Sequence, residues 1–256
     1  INLAFIQLVL SKSFGIDIGT LKAKDIEDIM RPFHEKGIKI ALLGSYFNPV
    51  HSDPEYRKQN IERFKKHLEL AKKFGTPYVG TETGSYMDSP WNYHPKNHLE
   101  ESYLEVREVI RELVEFAEGV DACVLIEGAY NHLLYKPELL KRLIDDIPSK
   151  NLRVIVDLFN YLNIDNYQNH REIFSQAIEL LKDKITAFHL KDFIVTDGKL
   201  KQVGLGQGLM DYQYLISKIK VNVPDAFLIF EGITGSDIES SRKFIIGLED
   251  NYESLS

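Results

Sequence analysis

The sequence lacks several features that would define other classes of protein. Its one cysteine, Cys123, excludes an internal disulfide and favours a reducing compartment, so we expect a cytoplasmic protein. Apolar runs stay short of the roughly 18 residues needed to span a membrane. The opening residues 1–10 show neither the basic segment nor the cleavage site of a secretory signal. These observations disfavour secreted disulfide-rich domains and membrane proteins.

An excess of positive charge is also missing. The net charge is −7, and Lys and Arg lie among acidic residues on predicted helices instead of forming one basic face. Proteins that bind nucleic acids usually present such a face to the phosphates. We therefore expect a small neutral or weakly charged ligand and no nucleic-acid partner.

Short apolar runs alternate with amphipathic segments along the whole chain. No linker or low-complexity tract divides it, so we predict one domain over residues 1–256. The predicted strands are residues 4–10, 38–44, 77–82, 122–127, 152–157, 186–190 and 226–231. The predicted helices, with apolar residues at helical spacing, are residues 22–36, 54–74, 99–117, 136–146, 168–182, 211–219 and 236–248.

This alternation predicts an α/β fold with a parallel sheet. Near-continuous apolar strands that alternate with helices are typical of parallel strands buried on both faces, and about 250 residues is the usual length of a TIM (β/α)8 barrel. A closed barrel of this kind has eight strands, whereas the pattern shows seven. We therefore expect the first strand and helix to be absent from this chain. An incomplete barrel is the alternative.

Four consecutive predicted strands carry a metal-ligating residue at their carboxyl end. These residues are Glu127, Asp157, His189 and Glu231. The carboxyl ends of barrel strands converge on one mouth, so residues far apart in sequence can meet there. Three carboxylates and one imidazole suit Mn²⁺, Mg²⁺ or Co²⁺, and are also compatible with Zn²⁺. The alternative for each residue alone is a strand-end side chain that caps the next helix.

The order of these four ligands resembles the xylose isomerase-like TIM-barrel superfamily of sugar phosphate isomerases and epimerases. Three segments extend the resemblance over nearly the whole chain: NPVHSDPEYRKQNIERFKKHLELAKKFGTPYVGTETG, WNYHPKNH and FHLKDFIVTDGKLKQVGLGQGLMDY. The resemblance implies a small carbohydrate substrate whose carbonyl and hydroxyl chelate one divalent metal ion. It also implies proton transfer by Glu127 and Glu231, and assembly as a homo-oligomer.

Members of this superfamily perform different reactions, and several readings remain open. Proton return to the opposite face gives an epimer, and return to the neighbouring carbon gives an isomer. Dehydratases of cyclitols such as inososes and an endonuclease branch share the barrel, and a catalytically silent carbohydrate-binding barrel is a further alternative. The ketose-epimerase branch usually has His three residues after the metal Asp and Arg six after the metal His. This chain has Asn160 and Val195 there.

Further candidates lie near the predicted mouth. Lys191 shares a strand face with His189 and is a candidate catalytic residue, or else a lysine that reaches solvent. The neighbouring Asp192 points the other way and is expected to be structural. Candidate substrate-binding residues are His51, Glu82, Trp91, Asn160 and Gln207. The alternatives are loop packing for His51 and Trp91, a cap or turn for Glu82, and a plain glycine-rich turn around Gln207.

Overall fold

The computed structural model describes residues 4–88 and 92–253. Its strands are β1 (Phe5–Leu8), β2 (Lys39–Gly44), β3 (Tyr78–Glu82), β4 (Cys123–Glu127), β5 (Leu152–Asp157), β6 (Ile185–Leu190), β7 (Asp192–Thr196), β8 (Lys199–Val203) and β9 (Phe227–Phe230). The helices are α1 (Leu10–Phe14), α2 (Ala23–Glu35), α3 (Pro54–Leu70), α4 (Glu100–Val120), α5 (Pro137–Asp146), α6 (His170–Leu181), α7 (Tyr212–Asn222) and α8 (Ser236–Glu253).

Seven strands form one parallel sheet in the order β1-β2-β3-β4-β5-β6-β9. The first and last strands of the sheet, β1 and β9, lie close together: the ring centroids of Phe5 in β1 and Phe227 in β9 are 5.0 Å apart. The sheet is therefore a nearly closed barrel, which confirms the predicted α/β barrel class. Its interior core consists of Ala41, Leu42, Leu125, Ile155, Ala187 and Ile229. A larger apolar core packs the surrounding helices against the outer face of the sheet.

The predicted strands match the seven strands of the sheet, with differences at the ends. The first predicted strand, residues 4–10, is too long because β1 ends at Leu8 and α1 begins at Leu10. The predicted helix over residues 54–74 ends as an α-helix at Leu70 and continues as a 3-10 turn to Phe74. Its start is fixed by Asp53, whose carboxylate accepts from the N–H of Glu55 at 2.9 Å.

The β7–β8 hairpin was not predicted from the sequence. It turns at Asp197 and Gly198, whose φ angles of 51° and 68° are those of a two-residue hairpin turn with the right-handed twist of its strands. The hairpin rests against the end of β9, where Gln202 Nε2 donates to the carbonyl of Glu231 at 2.5 Å. It therefore forms one wall of the barrel mouth.

The buried carboxylate of Asp192 organises the glycine-rich loop after this hairpin. It accepts four backbone N–H bonds of 2.8–3.0 Å, from Phe193, Gly206, Gly208 and Met210. A Cβ at Gly208 would lie 2.3 Å from Asp192 Oδ1, so the loop needs glycine there to wrap around the carboxylate. The structural role expected for Asp192 is confirmed.

Replacing Asp192 with Ala is expected to lower the free energy of unfolding by about 3 kcal/mol, because four backbone N–H groups lose their acceptor, and the two buried ones, of Phe193 and Met210, each cost about 1–3 kcal/mol when unsatisfied. Urea denaturation followed by circular dichroism measures the change. Asp183→Ala, at an exposed position next to the end of α6, is the control and should change stability by less than about 0.5 kcal/mol. Equal stability of the two variants would contradict the role assigned to Asp192.

Among the helices in the described ranges, none has both the length and the apolar character needed to cross a bilayer.

Candidate metal centre

The four predicted ligands lie at the carboxyl ends of neighbouring strands. Glu127 and Asp157 are the last residues of β4 and β5, His189 is the penultimate residue of β6, and Glu231 directly follows β9. Asp157 pairs in register with His189. The residues two positions earlier on these strands, which share the same face, are Leu125, Ile155, Ala187 and Ile229 of the interior core. Strand alternation therefore turns all four ligands towards the barrel axis.

Their side chains are close enough to hold one ion. One ligand atom from each of the four residues lies within 4.8 Å of the others. His189 Nδ1 is 2.8 Å from Glu231 Oε2 and 3.2 Å from Glu127 Oε2. The Glu127, Asp157 and His189 side chains are buried, which keeps bulk water away from three of the four groups.

Three of these ligand atoms are buried and make no hydrogen bond of regular geometry, and their nearest polar neighbours are the other charged groups of the site. The three atoms are His189 Nδ1, Asp157 Oδ2 and Glu231 Oε2. Buried polar atoms in native proteins nearly always have a partner, so such a cluster at one point needs an explanation. A divalent cation would accept all of these lone pairs at once. The donor set of carboxylate oxygens and one imidazole nitrogen thus fits a divalent metal ion.

The ammonium group of Lys191 partly balances the charge of this cluster. Its Nζ lies 2.8 Å from Asp157 Oδ2 and 3.0 Å from Glu231 Oε2. Burial lowers the pKa of Lys191, but the charges of Asp157, Glu231 and Glu127 outweigh burial and raise it above its usual range. For Glu231, burial is outweighed by His189 and Lys191, so its pKa falls to about 2. Glu231 therefore stays a carboxylate and Lys191 stays a cation.

Two further acids at the mouth, Glu82 and Asp157, have pKa values that are raised by burial and by neighbouring negative charge. Burial, reinforced by the charges of Glu127 and Glu231, raises the pKa of Glu82 to about 8. Burial also raises the pKa of Asp157 to about 6, with Lys191 lowering it and Glu127 raising it further. Repulsion of this kind favours the binding of a cation, because added positive charge makes it easier for the carboxylates to ionise.

Asn160 connects three members of the site. Its Nδ2 donates to Glu127 Oε1 at 2.7 Å, its backbone N–H donates to Asp157 Oδ1 at 3.2 Å, and its Oδ1 accepts from Lys191 Nζ at 3.3 Å. These bonds leave the other oxygen of Glu127 facing His189. Asn160 therefore orients Glu127, and its predicted contact with substrate stays a prediction.

A cavity of about 410 Å³ opens next to these residues. Glu82 and Asn160 connect it to the ligand cluster, and Lys199 and Leu200 of the hairpin form part of its rim. Its other polar lining residues are Tyr130, Asn131, His132 and Asn163. Amide, imidazole and carboxylate groups of this kind can exchange hydrogen bonds with a polyhydroxylated molecule. The position of Glu82 agrees with a substrate contact, which remains a prediction.

The remaining predicted substrate residues lie elsewhere. His51 stacks on Tyr56 with ring centroids 4.0 Å apart, and its Nδ1 accepts from the N–H of Asp53 at 3.1 Å. Gln207 is exposed, and its Nε2 donates to Asp237 Oδ1 at 3.1 Å. Neither residue lines the 410 Å³ cavity. Trp91 lies outside the described residues. Substrate binding by these three residues stays a prediction.

Sequence reasoning missed Gln7 and Tyr46. Gln7 lies in β1 and contacts both His189 and Tyr46. The available signal was a polar residue between apolar neighbours in a predicted strand. Strand alternation alone does not say which distant residue such a side chain reaches.

Comparison with known proteins agrees with this architecture. The family model of the xylose isomerase-like TIM barrel matches residues 1–247. A search of curated proteins gave no significant match. A D-tagatose 3-epimerase-like protein superposes with a TM-score of 0.78 at 20% identity, covering 100% of this chain and 92% of that one.

Two further solved structures have similar folds. A xylose isomerase-like TIM barrel protein from Mycobacterium smegmatis, in complex with magnesium, gives a TM-score of 0.73 at 16% identity, with coverage of 96% and 84%. The probable 3-DHS dehydratase of Bacillus anthracis gives 0.71 at 16% identity, with coverage of 96% and 88%. Since the family model spans nearly all of the chain, the chain belongs to the xylose isomerase-like TIM barrel family.

Proposed function

We propose that the protein is a divalent-metal-dependent isomerase or epimerase of a small sugar, sugar phosphate or related hydroxy-carbonyl compound. The observation that carries this proposal is the convergence of Glu127, Asp157, His189 and Glu231, with one ligand atom of each within 4.8 Å of the others and three of these atoms buried without a hydrogen bond of regular geometry. Mn²⁺, Mg²⁺ or Co²⁺ suits this donor set, with Zn²⁺ compatible. The adjoining cavity of about 410 Å³, lined by Glu82 and by the Asn160 that bonds to Glu127, has room for a small substrate beside the cluster.

A bound divalent ion would polarise the substrate carbonyl and stabilise the negative charge that develops when the neighbouring C–H loses its proton. Glu231 is suited to take that proton, because it stays ionised and its side chain is 39% exposed at the mouth. Glu127, buried and held by Asn160, is placed on a separate strand to act from another direction. Epimerisation requires one group that removes a proton from one face of the substrate and another that returns a proton to the opposite face. Glu127 on β4 and Glu231 after β9 are the two carboxylates proposed for these roles.

Proteins of similar fold support this class of reaction. They include a D-tagatose 3-epimerase-like protein and a D-psicose 3-epimerase, at 20% and 18% identity. At these identities the likeness concerns the fold.

A dehydratase is the second candidate, and Lys191 favours it. Its ammonium group lies 3.0 Å from Glu231 Oε2, beside the proposed proton acceptor, where it is able to donate a hydrogen bond to a leaving hydroxyl and stabilise the negative charge that develops on it. A probable dehydratase is also among the proteins of similar fold. In a lyase of this kind, Glu231 would take the C–H proton and pass it to the leaving hydroxyl, which would depart as water.

A substrate screen in deuterated buffer tests the proposal and separates the two candidates. The purified protein with Mn²⁺ is incubated with ketoses, inososes and keto acids, and the products are followed by NMR and mass spectrometry. The proposal expects deuterium at a substrate carbon with no loss of water. Loss of 18 mass units with a new unsaturated product would assign the lyase instead. A protein that binds no divalent metal and changes no substrate would contradict both.

A further inference from the structure

Gln7 connects the first strand of the barrel to the proposed metal ligand on β6. Its Oε1 lies 2.6 Å from Nε2 of His189, a residue 182 positions away in the chain. The other end of the same amide donates from Nε2 to the hydroxyl of Tyr46 at 2.5 Å. Gln7 therefore lies between the imidazole and a tyrosine that follows β2.

The contact with Gln7 determines which nitrogen of His189 can serve as a ligand. A neutral imidazole carries one N–H and one lone pair, and a carbonyl oxygen can only accept. With Gln7 Oε1 facing Nε2, the proton belongs on Nε2, which leaves the lone pair on Nδ1. Nδ1 is the nitrogen that faces Glu127 and Glu231. A reversed amide would present NH₂ to Nε2 and favour the proton on Nδ1, which would block metal binding.

The backbone of β2 leaves room for this arrangement. A Cβ at Gly44 would lie 2.8 Å from Tyr46 Cε2, 3.1 Å from Gln7 Nε2 and 2.7 Å from Val9 Cγ2. A side chain at position 44 would push both Gln7 and Tyr46 out of place. The glycine, the tyrosine and the glutamine together hold the amide against the imidazole.

We propose that Gln7, braced by Tyr46, is a positioning residue that fixes the tautomer and ring orientation of His189 and thereby sets the affinity for the metal. The inference rests on the metal centre of the proposed function and adds to it residues that do not touch the ion. Partners that bind the second nitrogen of a ligating histidine typically change metal affinity by 10- to 100-fold.

Calorimetric titration of the metal-free protein with Zn²⁺ tests this role. Gln7→Leu, which removes the acceptor, is expected to weaken Zn²⁺ binding by about 10- to 100-fold. Gln7→Glu retains an acceptor oxygen and should bind at least as tightly as the wild type. Tyr46→Phe keeps the ring and should weaken binding by about 2- to 10-fold, the effect of one neutral hydrogen bond. Gln176→Leu, on the exposed face of α6, is the matched control and should bind as the wild type does.

Nitrogen-15 NMR of the Zn²⁺-loaded protein gives a readout independent of activity. The wild type should show the proton of His189 on Nε2, and Gln7→Leu should broaden or shift that signal. If Gln7→Leu binds Zn²⁺ with wild-type affinity and an unchanged imidazole spectrum, the inference is wrong while the metal centre stands. If the wild type itself binds no Zn²⁺, Mn²⁺ or Mg²⁺, both fail. If Gln7→Leu does not fold, wild-type affinity for Zn²⁺ in Tyr46→Phe would show that Tyr46 does not hold the Gln7 amide in place, and would overturn the inference.

Discussion

Replacing Glu231 with Gln is expected to lower substrate turnover by about 10²- to 10⁴-fold, the usual contribution of a general base. The amide keeps the shape of the side chain but can no longer accept a proton. Glu127→Gln should lower turnover by a similar factor if Glu127 is the second group that transfers a proton. Steady-state rates at saturating Mn²⁺, with bound metal measured in each variant, separate lost proton transfer from lost metal.

The isotope pattern of these two variants distinguishes an epimerase from other reactions. In a two-base epimerase each carboxylate exchanges the proton of one epimer. Glu231→Gln should therefore stop conversion while one epimer still incorporates solvent deuterium, and Glu127→Gln should show the opposite preference. Loss of exchange from both epimers in only one of the variants would indicate a single base, as expected for an isomerase or a dehydratase.

Glu115→Gln is the control for both variants. Glu115 is exposed on α4, so the change from carboxylate to amide should leave turnover unchanged. Wild-type turnover in Glu127→Gln and Glu231→Gln together would remove both residues from the proton-transfer step. A rate loss that follows the metal content alone would leave them as ligands only.

The candidate ligands could be predicted because their positions follow from strand geometry. In a parallel barrel, side chains at alternate positions point inwards and the carboxyl ends meet at one mouth. Asp157 and His189 pair directly in register, and Glu127 and Glu231 join them from the flanking strands. Apolar runs that end in Glu, Asp or His were therefore enough to bring four distant residues together.

The hairpin at the mouth was harder to predict because it does not belong to the repeating pattern. β8 contains Lys199 and Lys201, so it lacks the apolar run that marks the barrel strands. Its best local signal is Asp197-Gly198, a pair that favours a two-residue hairpin turn. The docking of this hairpin through Gln202 onto Glu231 is a long-range contact, which local pattern does not encode.

The contacts around His189 show another limit of sequence reasoning. Gln7 is one polar residue in a short strand, and a strand pattern assigns it a face without a partner. Its contact with a residue 182 positions away depends on β1 curving round the barrel towards β6. In contrast, Asp192 was recognised as structural because it immediately follows the inward-facing Lys191 and so points away from the mouth.

Divalent metal is expected to raise the melting temperature of the protein by about 5–10 °C. A ligand at a hundred times its Kd adds about 2.7 kcal/mol to the free energy of unfolding, and 1 kcal/mol corresponds to about 2–4 °C for a domain of 150–250 residues. Differential scanning fluorimetry with Mn²⁺, and then with excess chelator, measures the gain and its reversal. Asp157→Asn should lose this gain, because it removes a buried ligand at the centre of the cluster.

The same cluster should make the metal-free protein lose stability as the pH rises from about 4.5 to 8. The pKa of Asp157 rises from 3.8 to about 6 and that of Glu82 from 4.5 to about 8, chiefly through burial, so ionisation of both acids opposes folding over this range. Glu231, with its pKa lowered to about 2, already contributes its full stabilisation above about pH 4.5 and does not offset the loss.

Added Mn²⁺ should flatten this pH dependence, because a bound cation lowers the cost of ionising the neighbouring carboxylates. Asp157→Asn should flatten part of it without metal, since it removes one of the two acids. Asp145→Asn, at an exposed position on α5, serves as the control and should keep the wild-type pH dependence. If the melting temperature is equally insensitive to Mn²⁺, Mg²⁺, Co²⁺ and Zn²⁺ at pH 7, the four residues do not form a metal site. The repulsion among their carboxylates would then be reduced only by protonation and by the positive charge of Lys191.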